Sequence, residues 1–207
     1  MKYAFLSILG LCTLLAIPPS STRELKQAET AVYEELGLKC TAQALCTVGD
    51  YTRVAVTAND VNFTVNMLDN KYVSDNYSEA SYRYELLDVV TNTVSNNGCK
   101  LTPYVDVYGT NLVVYLLGDG ILPVSCIRDI AGLVYDSKND YTAYLCVSKV
   151  SSGDLGEFEQ LSQNWFGIGN DTQTFYNKID PQQTVSFSLI DTVPTEYEIA
   201  VQLSNIN

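Results

Sequence analysis

Leu25, Ala28, Val32 and Leu36 recur three or four positions apart, Glu24, Glu29 and Glu34 fall elsewhere on the same wheel, and Gly37 follows. The spacing predicts a helix over 22–36 that the glycine ends. Residues 51–58 and 61–68, rich in Val, Thr and Phe, read as two strands joined at Ala58-Asn59-Asp60 into a hairpin. A second helix is expected from an N-cap at Ser78 to Asn97-Gly98, its apolar stripe carried by Tyr82, Leu86, Val90 and Val94. Another hairpin follows, 104–108 and 112–117 around Gly109-Thr110-Asn111. Its second strand is a continuous apolar run of the kind buried on both faces. Beyond Gly118-Asp119-Gly120, the pattern predicts a helix over 122–135, a strand over 141–150, a helix over 155–166 with Phe158, Leu161 and Trp165 inward, and a closing hairpin of 184–190 and 196–203. Strands that pair mainly with their sequence neighbours point to an α+β fold. The expected architecture is an antiparallel sheet built from hairpins, with helices packed mainly on one face.

The first segment differs from the rest. Met1-Lys2 is followed by an apolar run over 3–17 and then by Pro18-Pro19-Ser20-Ser21-Thr22. A positive start, an apolar core and a small-residue exit form the pattern of a secretory signal peptide over 1–21, cleaved between Ala16 and Ser21. The run is shorter than the roughly twenty residues that a bilayer-spanning helix needs, and the two prolines stop it. No Pro/Ser-rich linker or charge block divides residues 22–207, so a single domain is expected there.

Export changes how the cysteines are read. Cys12 lies in the leader, and five remain: Cys40, Cys46, Cys99, Cys126 and Cys146. In an oxidising compartment these are expected to be mostly bridged. Cys40 with Cys46 is the first expected pair and two of the other three make the second, although sequence alone does not choose among the arrangements. The odd cysteine is either buried and inert or the link in a disulfide-bonded homodimer. Three sequons, at Asn62, Asn76 and Asn170, are candidate glycosylation sites; Asn62 falls in a strand, which makes Asn76 and Asn170 the better acceptors.

Composition excludes more than it assigns. With 12 Lys and Arg against 24 Asp and Glu, the chain of 207 residues carries a formal charge of −12. That argues against a nucleic-acid partner and against docking on an anionic membrane surface. The chain has no histidine, which removes Ser-His-Asp and Cys-His catalysis and His-ligated metal centres. Asp136-Ser137-Lys138-Asn139-Asp140 places a lysine amid its oxygens and lacks the glycine and terminal glutamate of a calcium loop. No metal site or cofactor is expected. Ser137-Lys138 and Ser148-Lys149 are adjacent pairs, and adjacent strand residues face opposite ways. Asp119, in the glycine turn after a buried strand, is the acid to inspect first, with a plain tight turn as its ordinary role.

The fifteen tyrosines are the least generic feature. Tyr72, Tyr77, Tyr82 and Tyr84 gather with Asn70, Ser74 and Asn76 around one predicted loop and helix start, a composition suited to a protein or carbohydrate partner. The expected function is that of a secreted or surface-displayed acidic domain that binds a partner or builds an assembly without catalysis. A carboxylate-dependent secreted hydrolase and a secreted protease inhibitor are the alternatives. A helix on a hairpin sheet resembles the cystatin architecture, but the Gln-x-Val-x-Gly hairpin motif is missing.

Overall fold

The computed structural model describes residues 21–167 and 169–206. Residues 1–20 of the proposed leader, with Cys12 and Ala16, lie outside the described residues. The chain, which no linker interrupts, gathers into two compact units, one holding the residues up to Ala80 with Asn164–Asn170, the other Ser81–Gln163 with Asp171–Asn207. The fold is α+β.

The first unit is a helix on a four-stranded meander. Helix α1 (Ser21–Leu36) packs on strands β1 (Thr41–Val48), β2 (Tyr51–Ala58), β3 (Val61–Leu68) and β4 (Lys71–Asp75), which pair antiparallel in chain order. Alternation buries Val54, Val56 and Ala58 of β2 opposite Val65, Phe63 and Val61 of β3. Two of the connections are two-residue turns in which both residues take positive φ, Asn59 (50°) with Asp60 (65°) and Asp69 (50°) with Asn70 (60°). This is type I′ geometry, whose twist matches that of the strands and which Asn and Asp tolerate best among residues with a Cβ.

The strands β1 and β4 extend the expected hairpin at both edges. Neither carries a strong pattern, since β1 contains two alanines and β4 is five residues long. Glu29 of α1 accepts the Ala42 amide at 3.0 Å, beside the bulge between Ala42 and Ala44. After β4, Asn76 accepts the Thr64 amide at 2.6 Å through Oδ1 and donates through Nδ2 to Phe166 O at 3.0 Å. Gly167 sits so close that a Cβ there would lie 2.2 Å from Asn76 Nδ2.

The second unit begins within helix α2 (Tyr77–Asn96) and continues through β5 (Thr102–Tyr108), β6 (Asn111–Gly118), α3 (Val124–Ser137), β7 (Thr142–Lys149), α4 (Ser152–Gln163), α5 (Gly169–Tyr176), β8 (Thr184–Ser188) and α6 (Glu196–Leu203). The sheet order is β5-β6-β7-β8. Two of its three pairings are antiparallel; β6 and β7 are parallel, with α3 as the crossover. The sheet is therefore mixed. Leu112, Val114 and Leu116 face one side with Ala143, Leu145 and Val147, and there they meet Leu86 and Val90 of α2, Ile127 and Ile130 of α3, and Ile199 and Leu203 of α6.

Several expectations are corrected. Residues 196–203 form α6, not a strand. Thr195 and Glu198 make a reciprocal capping box, with Thr195 N–H donating to Glu198 at 2.7 Å and Glu198 N–H to the Thr195 hydroxyl at 3.3 Å. The Thr195 amide and the Thr195 hydroxyl, which also donates to the Glu198 carboxylate at 2.8 Å, hold that carboxyl below its usual pKa. Strand β8 consequently pairs with β7. Helix α2 starts at Tyr77, whose amide is received by Asp75 at 2.7 Å, so Ser78 lies inside the helix. Trp165 is buried beyond the end of α4.

The bridge expected between Cys40 and Cys46 does not form. Cys46 lies far along an extended strand that begins at Thr41, and six extended residues span about 20 Å, well beyond disulfide reach. Cys99 and Cys126 form the disulfide instead, their Cα atoms 6.8 Å apart, tying the end of α2 to α3. A loop of this length is worth roughly 3 to 4 kcal/mol in the chain-entropy account.

One buried cation joins three elements. Arg83 of α2 is 4% exposed. Its Nε donates to Val105 O at 2.7 Å and its Nη2 to Ser162 O at 2.8 Å, while the guanidinium lies 5.7 Å from the centre of the Tyr104 ring. Replacing Arg83 with Met leaves two buried acceptors without their donor, and urea unfolding should show a loss of about 3 kcal/mol. Arg83→Lys should recover less than half of that loss, because one ammonium cannot reproduce the planar fork. Unchanged stability in Arg83→Met would remove the anchoring role.

Candidate functional site

A groove of about 900 Å³ opens in the first unit between α1 and the β3–β4 turn. Arg23, Lys26, Gln27, Thr30, Ala31 and Glu34 line it from the helix, at positions three or four apart and therefore on one stripe. Asn70, Lys71 and Tyr72 line it from the turn and the start of β4. The type I′ turn fixes that second wall, because Asn70 must sit in the left-handed region for β4 to reverse onto β3.

Tyr72 is the most constrained member. Its hydroxyl donates to Asp75 Oδ2, whose other oxygen holds the start of α2. Burial, reinforced by that hydrogen bond and by the negative charges of Asp75 and Glu35, pushes the phenol up to about 12. The ring thus meets any ligand as a neutral amphipathic face.

The charges on α1 run against its dipole. Cations favour a helix C-terminus and anions its N-terminus. Here Arg23 and Lys26 stand near the start, Glu34 and Glu35 stand in the last turn, and that turn holds no basic residue. Glu24 alone in the first turn has the favourable sign. Among the described residues, the charged groups of Arg23, Lys26, Lys71, Glu34 and Glu35 form no ion pair with one another or with other side chains.

The other sequence-predicted tyrosines have different surroundings. Tyr77 packs edge-on against Phe63, ring centres 5.0 Å apart. Tyr82 stacks on Tyr141 at 5.1 Å and donates to Ser137 O at 2.7 Å, with burial and the neighbouring Tyr141 pushing its pKa up to about 12. Tyr84 is 44% exposed. Helical geometry separates Tyr82 from Tyr84, since two residues on a helix turn through about 200°. Of the four, Tyr72 lines the groove and Tyr84 is freely exposed.

Asp119 is exposed in its turn. That turn has a packing cause, because a Cβ on Gly118 would meet Leu122 at 2.8 Å and Leu101 at 3.1 Å. Asn62 accepts from the Thr57 hydroxyl at 2.8 Å within the sheet. Asn76 is engaged by Thr64 and Phe166 as described, and Asn170 stands in α5. Among the described residues, no three Cys, Asp or Glu side chains are grouped to hold a metal ion, and no helix is long and apolar enough to cross a membrane.

A second polar assembly, which sequence reasoning missed, lies on the β5–β8 face away from α3. Register aligns Tyr104, Tyr115, Cys146 and Ser186 in one row across the four strands. Phe175 of α5 stacks on Tyr104 with ring centres 3.7 Å apart and meets Tyr115 and Phe158 edge-on. Cys146 Sγ is hydrogen-bonded to Ser186 at 3.3 Å. Burial pushes the Cys146 thiol up, against the opposing pull of Ser186 and Tyr115, so it stays protonated at neutral pH. Tyr176 donates to the buried Asp106 at 3.5 Å, and its own phenol is pushed up to about 12 by burial and then by that carboxylate. The alternation Tyr104-x-Asp106 and Tyr144-x-Cys146-x-Ser148 was visible in the sequence, but only strand register joins these residues. Cys40, half-buried beside α1, is likewise pushed up by burial and by Glu29.

No family model and no curated protein matches the chain. A solved structure does: the crystal structure of a DUF5037 family protein from Ruminococcus gnavus ATCC 29149 is similar over 87% of this chain and 98% of that one, with a TM-score of 0.62 and 12% sequence identity. This likeness shows a shared fold.

The Tyr72 phenol gives the groove a measurable signature. A phenol whose folded pKa lies above its unfolded value near 10 contributes stability that is complete below pH 10 and is lost as pH rises through about 12. Ultraviolet titration of wild type and Tyr72→Phe should differ by one phenol ionising near pH 12, and the variant should lose less stability between pH 10 and 12. If the phenol absent from the variant proves to be one that ionises near pH 10, the assignment fails.

Proposed function

We propose that this protein is an exported, acidic, non-catalytic domain that binds a protein or carbohydrate partner, and that the groove between α1 and the β3–β4 turn is its binding site. The observation that carries the reading is the stripe of charged groups on α1. In a chain of net charge −12, two of the few cations sit where they weaken their own helix and pair with nothing among the described residues. Side chains placed at a cost to local stability fit a role in recognition. The opposite wall adds Tyr72, an aromatic face with a polar tip, and an asparagine amide, the residue types that dominate recognition surfaces. Export rests on the apolar leader and agrees with the Cys99–Cys126 disulfide.

Intact mass of the natural protein, before and after reduction, tests export. The expected product lacks the leader through a residue between Ala16 and Ser21 and gains about two protons on reduction of one bridge. Retention of Met1 would overturn export, and a doubled mass before reduction would establish a covalent dimer. For the site, the full chain and an Arg23→Ala/Lys26→Ala/Lys71→Ala variant are applied to peptide and glycan arrays. Ligands retained by wild type should be lost by the variant. Identical retention would move the site elsewhere, and glycan or peptide hydrolysis abolished by Asp119→Ala would replace the binding reading with a catalytic one.

A further inference from the structure

We propose that the α1 groove takes an extended peptide bearing an acidic and a basic side chain about four or five residues apart, the acid toward Arg23 and Lys26 and the base toward Glu34 and Glu35. The inference deepens the reading of this groove as the binding site and rests on it.

The helix supplies the spacing. Lys26 and Glu34 are separated by about 12 Å along the axis, and Arg23 and Glu34 by about 16 Å, at 1.5 Å per residue. An extended chain covers such a distance in about four or five residues. Between the charged ends the stripe is uncharged: Gln27, Thr30 and Ala31. The Thr30 hydroxyl gives its proton to Lys26 O at 2.9 Å, which leaves its oxygen able to accept from a peptide N–H. The Gln27 amide offers both a donor and an acceptor. A polyanion would be attracted at one end and repelled by Glu34 and Glu35 at the other. A neutral glycan would use neither end, which leaves the charges unexplained. A segment carrying both signs satisfies both ends at once. The charge order that opposes the helix dipole becomes favourable once ligand charges of opposite sign lie along it.

The probes are acetylated and amidated peptides in which one Asp and one Lys are joined by about three or four Gly and Ser residues, with Asp-only, Lys-only and directly adjacent Asp-Lys controls. Binding to the full chain is followed by amide NMR titration. The mixed, spaced peptide should bind about three- to tenfold tighter than each control, with the advantage fading as salt rises. Arg23→Glu/Lys26→Glu should abolish that preference and favour the Lys-only peptide. Adding Glu34→Lys/Glu35→Lys to that variant should restore it, with the peptide turned end for end. The fully reversed helix should also melt at a higher temperature than wild type, because every exchanged charge then agrees with the dipole.

Equal binding of the mixed peptide and its controls, or a preference that survives Arg23→Glu/Lys26→Glu, would overturn the inference. If a neutral glycan shifts the groove amides while the peptides do not, the peptide assignment fails and the site stands. If neither shifts them, both fail.

Discussion

The second unit is organised around a buried cation. Arg83 reaches from α2 to a strand carbonyl on β5 and to the last turn of α4. Each carbonyl it binds would otherwise need another donor, since a buried polar group is costly unless satisfied. A guanidinium suits this position because its donors diverge in a plane and its flat face can lie toward an aromatic ring, here Tyr104. The same residues that receive Arg83 support the polar face beyond them. Val105 and Asp106 are neighbours on β5, and Tyr104 stacks under Phe175. Moving the cation would therefore disturb the helix positions and the aromatic row together.

On that face Cys146 is a buried thiol outside any bridge. Cys146 lies among tyrosines and a serine, with burial holding it protonated, whereas Cys99 and Cys126 meet at the end of α2 and form the disulfide. The same chain thus contains an oxidised pair and a buried thiol, and because Cys126 is as deeply buried as Cys146, the difference is the presence of a second cysteine within bonding distance, not access.

In the first unit the informative feature is a conflict. Local helix physics favours acids early and bases late, and α1 arranges most of its groove-facing charges the other way. Helix and sheet tolerate this because Ala28 and Val32 are fully buried, and tertiary burial outweighs a few tenths of a kcal/mol per misplaced surface charge. The spare stability lets the exposed stripe be chosen for something other than folding. The adjacent wall is rigid for a separate reason, because a two-residue turn and the Tyr72–Asp75 hydrogen bond set its position.

Periodicity in the chain determined most of the elements: α1, the β2–β3 and β5–β6 hairpins, α2, α3, β7 and α4 follow from apolar spacing, and the turn asparagines and glycines mark their limits. Local pattern did not determine β1 and β4, whose side chains are small or few and which become strands by adding to an existing sheet. It misread residues 196–203, where the Thr195–Glu198 capping box outweighs β-favouring residues. Pairing across long sequence distances was beyond it altogether. The parallel β6–β7 register, the choice of Cys126 as the partner of Cys99, and the row Tyr104, Tyr115, Cys146 and Ser186 depend on strand order, which no short window contains. The groove divides in the same way. The helical stripe from Arg23 to Glu34 was fixed by the sequence of one element, but Asn70, Lys71 and Tyr72 came to face it only when the sheet folded under α1.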